Sequence, residues 1–111
     1  MLVSEAPLDA EYPAVADASG NAVVTIRTSG NRPWLVSQVT VEMPDAPATA
    51  PCVLRKDGAP ISPMVPQLDS AGGDPPIPLH PGQAITAEWS GLVAGSRGRV
   101  YVVYNLLDYA R

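Results

Sequence analysis

Arg99-Val100-Tyr101-Val102-Val103-Tyr104-Asn105-Leu106-Leu107 is the stretch that decides the fold of this chain. It is β-branched and aromatic, and neither Gly nor Pro interrupts it, which is the composition of a strand. Successive side chains of a strand point to opposite faces. Val100, Val102, Tyr104 and Leu106 therefore share one face, and Tyr101, Val103 and Leu107 share the other. A strand that is apolar on both faces is covered on both. In a two-layer sandwich the outer face is normally solvated, so the N-terminal arm or a neighbouring subunit is expected to cover it.

Outward from this strand, turn signals divide the chain at short intervals. Gly91, Gly95 and Gly98 punctuate the turn before it. Further back, Pro81-Gly82 opens a strand over Gln83–Trp89, with Ile85, Ala87 and Trp89 on one face and Trp89 at the centre of the core. Lys56-Asp57-Gly58 separates the apolar runs Cys52–Arg55 and Ile61–Met64. An Asp-Gly pair in that position predicts a hairpin, because Gly accepts positive φ without steric cost. Trp34–Met43 is the longest strand candidate, with Leu35, Val39, Val41 and Met43 on one face and Gln38, Thr40 and Glu42 on the other. Ala22–Arg27 is a β-branched strand entered through Ser19-Gly20-Asn21. Residues 66–76 read as the longest loop, and residues 1–19 as an extended N-terminal arm or edge strand.

The thirteen prolines are spread along the whole chain and exclude long helices. About seven or eight short strands at turn-marked intervals predict an all-β fold: a single β-sandwich over 20–111, of jelly-roll or immunoglobulin-like type. Its expected core is Ile26, Val39, Val41, Leu54, Ile85, Trp89, Val100 and Val102. The surfaces expected to meet other molecules are the outer face of the last strand, the residues after it and the arm. These are represented by Tyr101, Val103, Leu107, Tyr109, Leu2 and Val3.

Composition narrows the function classes. The chain has 111 residues, enough for one domain with its own core, and a single cysteine, Cys52, which precludes an intrachain disulfide. Met1-Leu2-Val3-Ser4-Glu5 has no basic start and no long apolar run follows, so no signal peptide is expected. No run approaches the roughly 18–20 apolar residues of a membrane-spanning helix. Net charge is −4, and the densest basic cluster is Arg55-Lys56, so neither nucleic acid nor an anionic membrane is an expected partner. Charged residues are 16% of the chain, well below the roughly one quarter of ordinary soluble domains. The surface is therefore apolar or neutral-polar, through coverage by neighbours or through exposed Pro, Ser and Thr.

Catalytic chemistry finds little material. His80 is the only histidine, and Leu79-His80-Pro81-Gly82 is a turn entry with no nucleophile in recognisable context. Cys52 lies in an apolar strand and reads as a buried, inert thiol. One Cys and one His cannot build a structural zinc centre. Asp69 and Asp74 flank a Gly-rich stretch that reads as an Asx-rich turn, with calcium as the alternative. Pro75-Pro76-Ile77-Pro78 reads as a rigid connector, with a polyproline ligand as the alternative. No cofactor and no enzymatic activity are expected. Trp34, Tyr101, Tyr104 and Tyr109 offer a second possibility, an exposed aromatic platform for a glycan.

Four segments in order carry a resemblance: Asn31–Val39 (Asn-Arg-Pro-Trp-Leu-Val-Ser-Gln-Val), Cys52–Gly58, Leu79–Gln83 and Trp89-Ser90-Gly91. Over about residues 20–105 the chain resembles small β-rich proteins encoded among the structural genes of tailed phages of actinobacteria. Six of the seven basic residues are Arg, and Ala and Pro abound, in keeping with a high-GC host. The resemblance brings no catalytic residues. It implies a virion component of the head, connector or tail, assembled in the host cytoplasm, whose partners are copies of itself and other virion proteins. The expected function is a non-enzymatic protein that decorates or cements the particle. The alternative is a carbohydrate- or receptor-binding sandwich on a tail or cell surface.

Overall fold

The computed structural model describes residues 2–3, 7–28 and 30–108, and of residues 2, 3, 73–75 and 108 only the backbone. Among them are nine strands: β1 (Leu2–Val3), β2 (Leu8–Val15), β3 (Ala22–Ile26), β4 (Trp34–Glu42), β5 (Cys52–Lys56), β6 (Ala59–Met64), β7 (Leu68–Leu79), β8 (Ile85–Trp89) and β9 (Arg97–Asp108). They form two antiparallel sheets. One has the order β1-β9-β4-β7, with β2 pairing the same side of β9 as an edge strand, and the other has the order β3-β8-β5-β6. The chain is all-β and folds as a β-sandwich.

The last strand is central, as its composition demands. β9 pairs with β4 along one side and with β2 along the other, while β1 continues beyond β2 at Val3↔Leu107. Residues 8–15 are therefore a full strand of the sandwich, in continuous register from Leu8↔Tyr104 to Val15↔Arg97. Ala14 and Ala16 belong to the core. The N-terminal segment lies beside β9 in the plane of the sheet and does not cover its outer face.

Among the described residues, only one hairpin joins paired neighbours, β5 to β6, and it turns on Asp57-Gly58. Both residues have positive φ (50° and 85°), as a two-residue hairpin turn of matching twist requires. The turn is anchored to the loop before β8. The Asp57 N–H donates to the Ala84 carbonyl at 2.9 Å, and Asp57 Oδ1 accepts the Ala84 N–H at 3.0 Å.

The inner faces of the two sheets meet in one core. Ile26, Val39, Val41, Leu54, Ile85, Val100 and Val102 are fully buried, and Trp89 is 2% exposed. The Trp89 indole N–H donates to the Pro66 carbonyl at 3.1 Å. Trp34 and Tyr104 stack in the same core, with ring centroids 3.7 Å apart and planes within 10°. Cys52 is buried there too, and burial first, then the nearby Asp69 carboxylate, pushes its thiol up to about 12.

Two sequence expectations are corrected. Residues 66–76 are not a loop, because β7 begins at Leu68 and pairs with β4 to Leu79. Its Gly and Pro content hides a strand because β7 is a sheet edge, where a Pro leaves no ladder donor missing on its open side. The connector Pro75-Pro76-Ile77-Pro78 is part of that edge. In β4, the expected face of Leu35 with Val39 is wrong. Ser37 is an extra residue opposite the continuous step Tyr104–Val103 of β9, and this bulge reverses the alternation. Trp34 and Val36 therefore join Val39, Val41 and Met43 in the core, while Leu35 is turned outward and half-buried.

Candidate functional site

Two features set the outer surface: the exposed face of the β9 sheet and the margin where β6 meets β7. On the face, β9 presents Arg99, Tyr101 and Val103, flanked in register by β2 and β4. Glu11 lies across from Tyr101, and Glu42 across from Arg99. Arg99 joins the three strands. Its Nε is 3.2 Å from Glu42 Oε1, and its Nη1 is 3.4 Å from Glu11 Oε1. Nη1 also donates to the Tyr101 hydroxyl at 2.9 Å, and the guanidinium carbon lies 5.7 Å from the centre of the Tyr101 ring. The hydroxyl contact, followed by the tyrosine and the two carboxylates, raises the Arg99 pKa further and keeps it cationic.

Tyr101 and Val103 are half-buried, and the Arg99 guanidinium lies against the Tyr101 ring. Leu107, expected on the open face, is buried at 3% where β9 passes Pro33, whose carbonyl accepts the Leu107 N–H at 2.9 Å. Leu2 and Val3 pair through their backbone with Asp108 and Leu107, but their side chains lie outside the described residues, as does Tyr109. The face is thus mixed in character, with an ion-paired end at Arg99.

The second feature grows out of the Ser37 bulge. Opposite Ser37, β7 carries the four residues 73–76 between Gly72, which faces Gln38, and Ile77, which faces Val36. Gly72 is required at this crossing. Its φ is +131°, and a Cβ there would fall on the Ser37 carbonyl oxygen. The Ser37 hydroxyl donates to the Val103 carbonyl at 3.1 Å, tying the bulge to β9. Thr40 and Ser70 hydroxyls meet at 2.7 Å across β4 and β7.

Beside this crossing lies a groove of about 330 Å³ lined by Ser37, Gln38, Ser70, Ala71 and Gly72. On the other side of Gly72 is one of about 320 Å³, lined by Ile61, Ser62, Ala71, Gly72 and Ile77. Ile61 is itself the extra residue of a bulge, since Leu54 faces Ser62 and Arg55 faces Pro60. One groove is walled by hydroxyls and an amide, and the other is mostly apolar.

The residues singled out for chemistry are dispersed. The His80 N–H donates to Gln83 Oε1 at 2.9 Å, which closes a turn with the Gln83 N–H donating back to the His80 carbonyl at 3.0 Å. Asp69 accepts the Val65 and Ser70 N–H groups, each at 2.8 Å, and the Asp74 side chain lies outside the described residues. Among the described residues, no three His, Cys, Asp or Glu side chains come together as a metal site. Nor does a helix there have the length and apolarity to cross a membrane. Of the proposed aromatic platform, Trp34 and Tyr104 are core residues, and Tyr101 carries Arg99 against its ring.

Sequence reasoning missed Ser37, Gly72 and the Glu11–Arg99–Glu42 cluster. A signal for the first was present. Trp34, Val36, Val39, Val41 and Met43 step by two except from Val36 to Val39, and a step of three is what a one-residue bulge leaves, but the apolar Leu35 between the first two obscures it. Glu11 and Arg99 come together only through the pairing of β2 with β9, which no local pattern announces. Compared with models of protein families, with curated proteins and with solved structures, the chain finds no match in any of the three.

Proposed function

We propose that this chain is a non-enzymatic structural protein of a phage particle, a sandwich that decorates or cements the shell, connector or tail in many copies. The observation that carries the reading is the strand order. β2-β9-β4-β7 faces β3-β8-β5-β6, and from β2 onward successive strands change sheet everywhere except at the β5–β6 hairpin. We read this order as a jelly roll and not as an immunoglobulin-type sandwich, and jelly rolls recur in viral capsid and lectin domains. The low charge, the hydroxyl-lined groove beside Ser37 and the sequence resemblance to actinobacterial phage structural proteins support the same reading.

Mass spectrometry of density-purified particles from the organism that encodes the chain tests it. The expected result is the chain present in many copies per particle. A chain that stays in the soluble fraction while particles assemble without it overturns the proposal. A second reading, a carbohydrate-binding module, is favoured by the hydroxyl- and amide-walled groove beside Ser37 and Gln38. Glycan-array binding that is lost on Gln38→Ala supports that alternative, and silence across host-wall sugars removes it.

A further inference from the structure

The sandwich has four edges, and three are guarded in the same way. Pro13 lies in β2, Pro60 and Pro63 in β6, and Pro75, Pro76 and Pro78 in β7. β6 and β7 are also bulged or irregular. Prolines and bulges are the devices by which natural sheets prevent edge-to-edge pairing. The fourth edge, β3, has neither. Ala22-Val23-Val24-Thr25-Ile26 is uncharged and almost wholly β-branched, and it pairs with β8 through five consecutive residues without a shift. Among the described residues, no strand pairs with its other side. Val23, at 60% exposure, and Thr25 point outward from it.

We propose that β3 is an assembly edge that pairs antiparallel with β3 of a second copy, joining the two β3-β8-β5-β6 sheets into one. The sequence of the strand selects this occupant, because it is complementary to itself. Side-chain alternation excludes registers that set a buried position against an exposed one. The two-fold register with Val24 opposite Val24 keeps all five residues paired. Ala22 faces Ile26 on the core side, and Val23 faces Thr25 on the outer side. No charge opposes a like charge. Extended by one residue, the same register sets exposed Arg27 of one copy opposite Asn21 of the other, beside the carboxylate of Asp17. That carboxylate holds the 17–21 turn by accepting the Ser19 and Asn21 N–H groups.

A five-residue seam falls short of the roughly 1,000 Å² of a stable interface. The pairing is therefore weak between free chains and gains strength when many copies are held together. The inference rests on the multi-copy part of the proposed function, but it is tested on the purified chain alone. Sedimentation of the full chain up to millimolar concentration is expected to show a concentration-dependent shift from monomer to dimer.

Two exposed substitutions fix the edge responsible. In Val23→Lys/Thr25→Lys, each Lys meets a Lys of the partner, and dimerisation is expected to weaken by about tenfold or more. Val23→Glu/Thr25→Glu is expected to behave in the same way. An equimolar mixture of the two variants should restore the dimer, and circular dichroism of each should match the wild type. A wild-type chain that stays monomeric throughout overturns the proposal. So does a dimer that the Lys variant leaves unchanged, or a mixture that fails to restore it. A dimer through β3 in a chain absent from particles would sink the virion reading alone.

Discussion

At the scale of single residues, the two tryptophans make a controlled comparison. Both are buried, but the Trp89 N–H reaches the Pro66 carbonyl, whereas the Trp34 N–H finds no acceptor among the described residues. Trp89→Ala is expected to cost about 3–5 kcal/mol in urea unfolding, through lost burial and the cavity left behind. An unchanged unfolding midpoint would remove Trp89 from the core. Trp89→Phe strands the Pro66 carbonyl, while Trp34→Phe removes an unpaired donor. The first is expected to cost about 1 kcal/mol more than the second, and equal costs would contradict the bonding described.

Cys52 supplies the pH-dependent prediction. Its thiol stays neutral in the folded chain to about 12, against 9.0 for a free thiol. Burial, and then Tyr104, likewise raise the Tyr12 hydroxyl. The unfolded chain therefore ionises first, and binds fewer protons than the folded chain between those limits. This contribution to stability is fully present below pH 9 and is lost as pH rises toward 12. Unfolding midpoints should be level on the acid side of that window and fall within it, more shallowly in Cys52→Ala. In the native chain Cys52 should resist thiol-specific reagents and should react once the chain is unfolded.

At the scale of elements, the β5–β6 hairpin and the β4 bulge differ in how openly the sequence announces them. Asp57-Gly58 is a local signal, since the turn chemistry lies within the two residues that adopt it. Asp57→Ala loses both tolerance of positive φ and the carboxylate that accepts the Ala84 N–H. It is expected to cost about 1–2 kcal/mol, with Asp57→Asn recovering most of that loss. Equal losses in the two variants would show that the anchoring oxygen contributes nothing. The bulge at Ser37 is legible only as a missed beat in the apolar alternation. The β7 strand was hidden because its apolar content is low and its backbone pairs with β4 regardless of side-chain type.

At the scale of the whole molecule, prolines mark the periphery. Of the strand prolines, all lie in β2, β6 and β7, and the central strands β4, β5, β8 and β9 have none. If they guard the edges, Pro13→Val together with Pro63→Val should leave the unfolding midpoint nearly unchanged. The same pair should raise light scattering and broaden sedimentation through new edge-to-edge pairing. A double variant that remains as soluble and as uniform in size as the wild type would assign those prolines no protective role.

By itself the sequence determined the all-β class, the hairpin turn, the inward face of β8, the inward Val100 and Val102 of β9, and the shortage of catalytic material. These follow from local chemistry: strand alternation, turn residues and the residue types present at all. Only the tertiary structure decided that residues 8–15 complete a sheet and that residues 68–79 are an edge strand. It also decided that Trp34 faces inward, and that Arg99 joins Glu11 to Glu42 across three strands. The reason is that cross-strand pairing is non-local. Which strands become neighbours, and whether a bulge shifts their register, is fixed by how the two sheets close over a shared core.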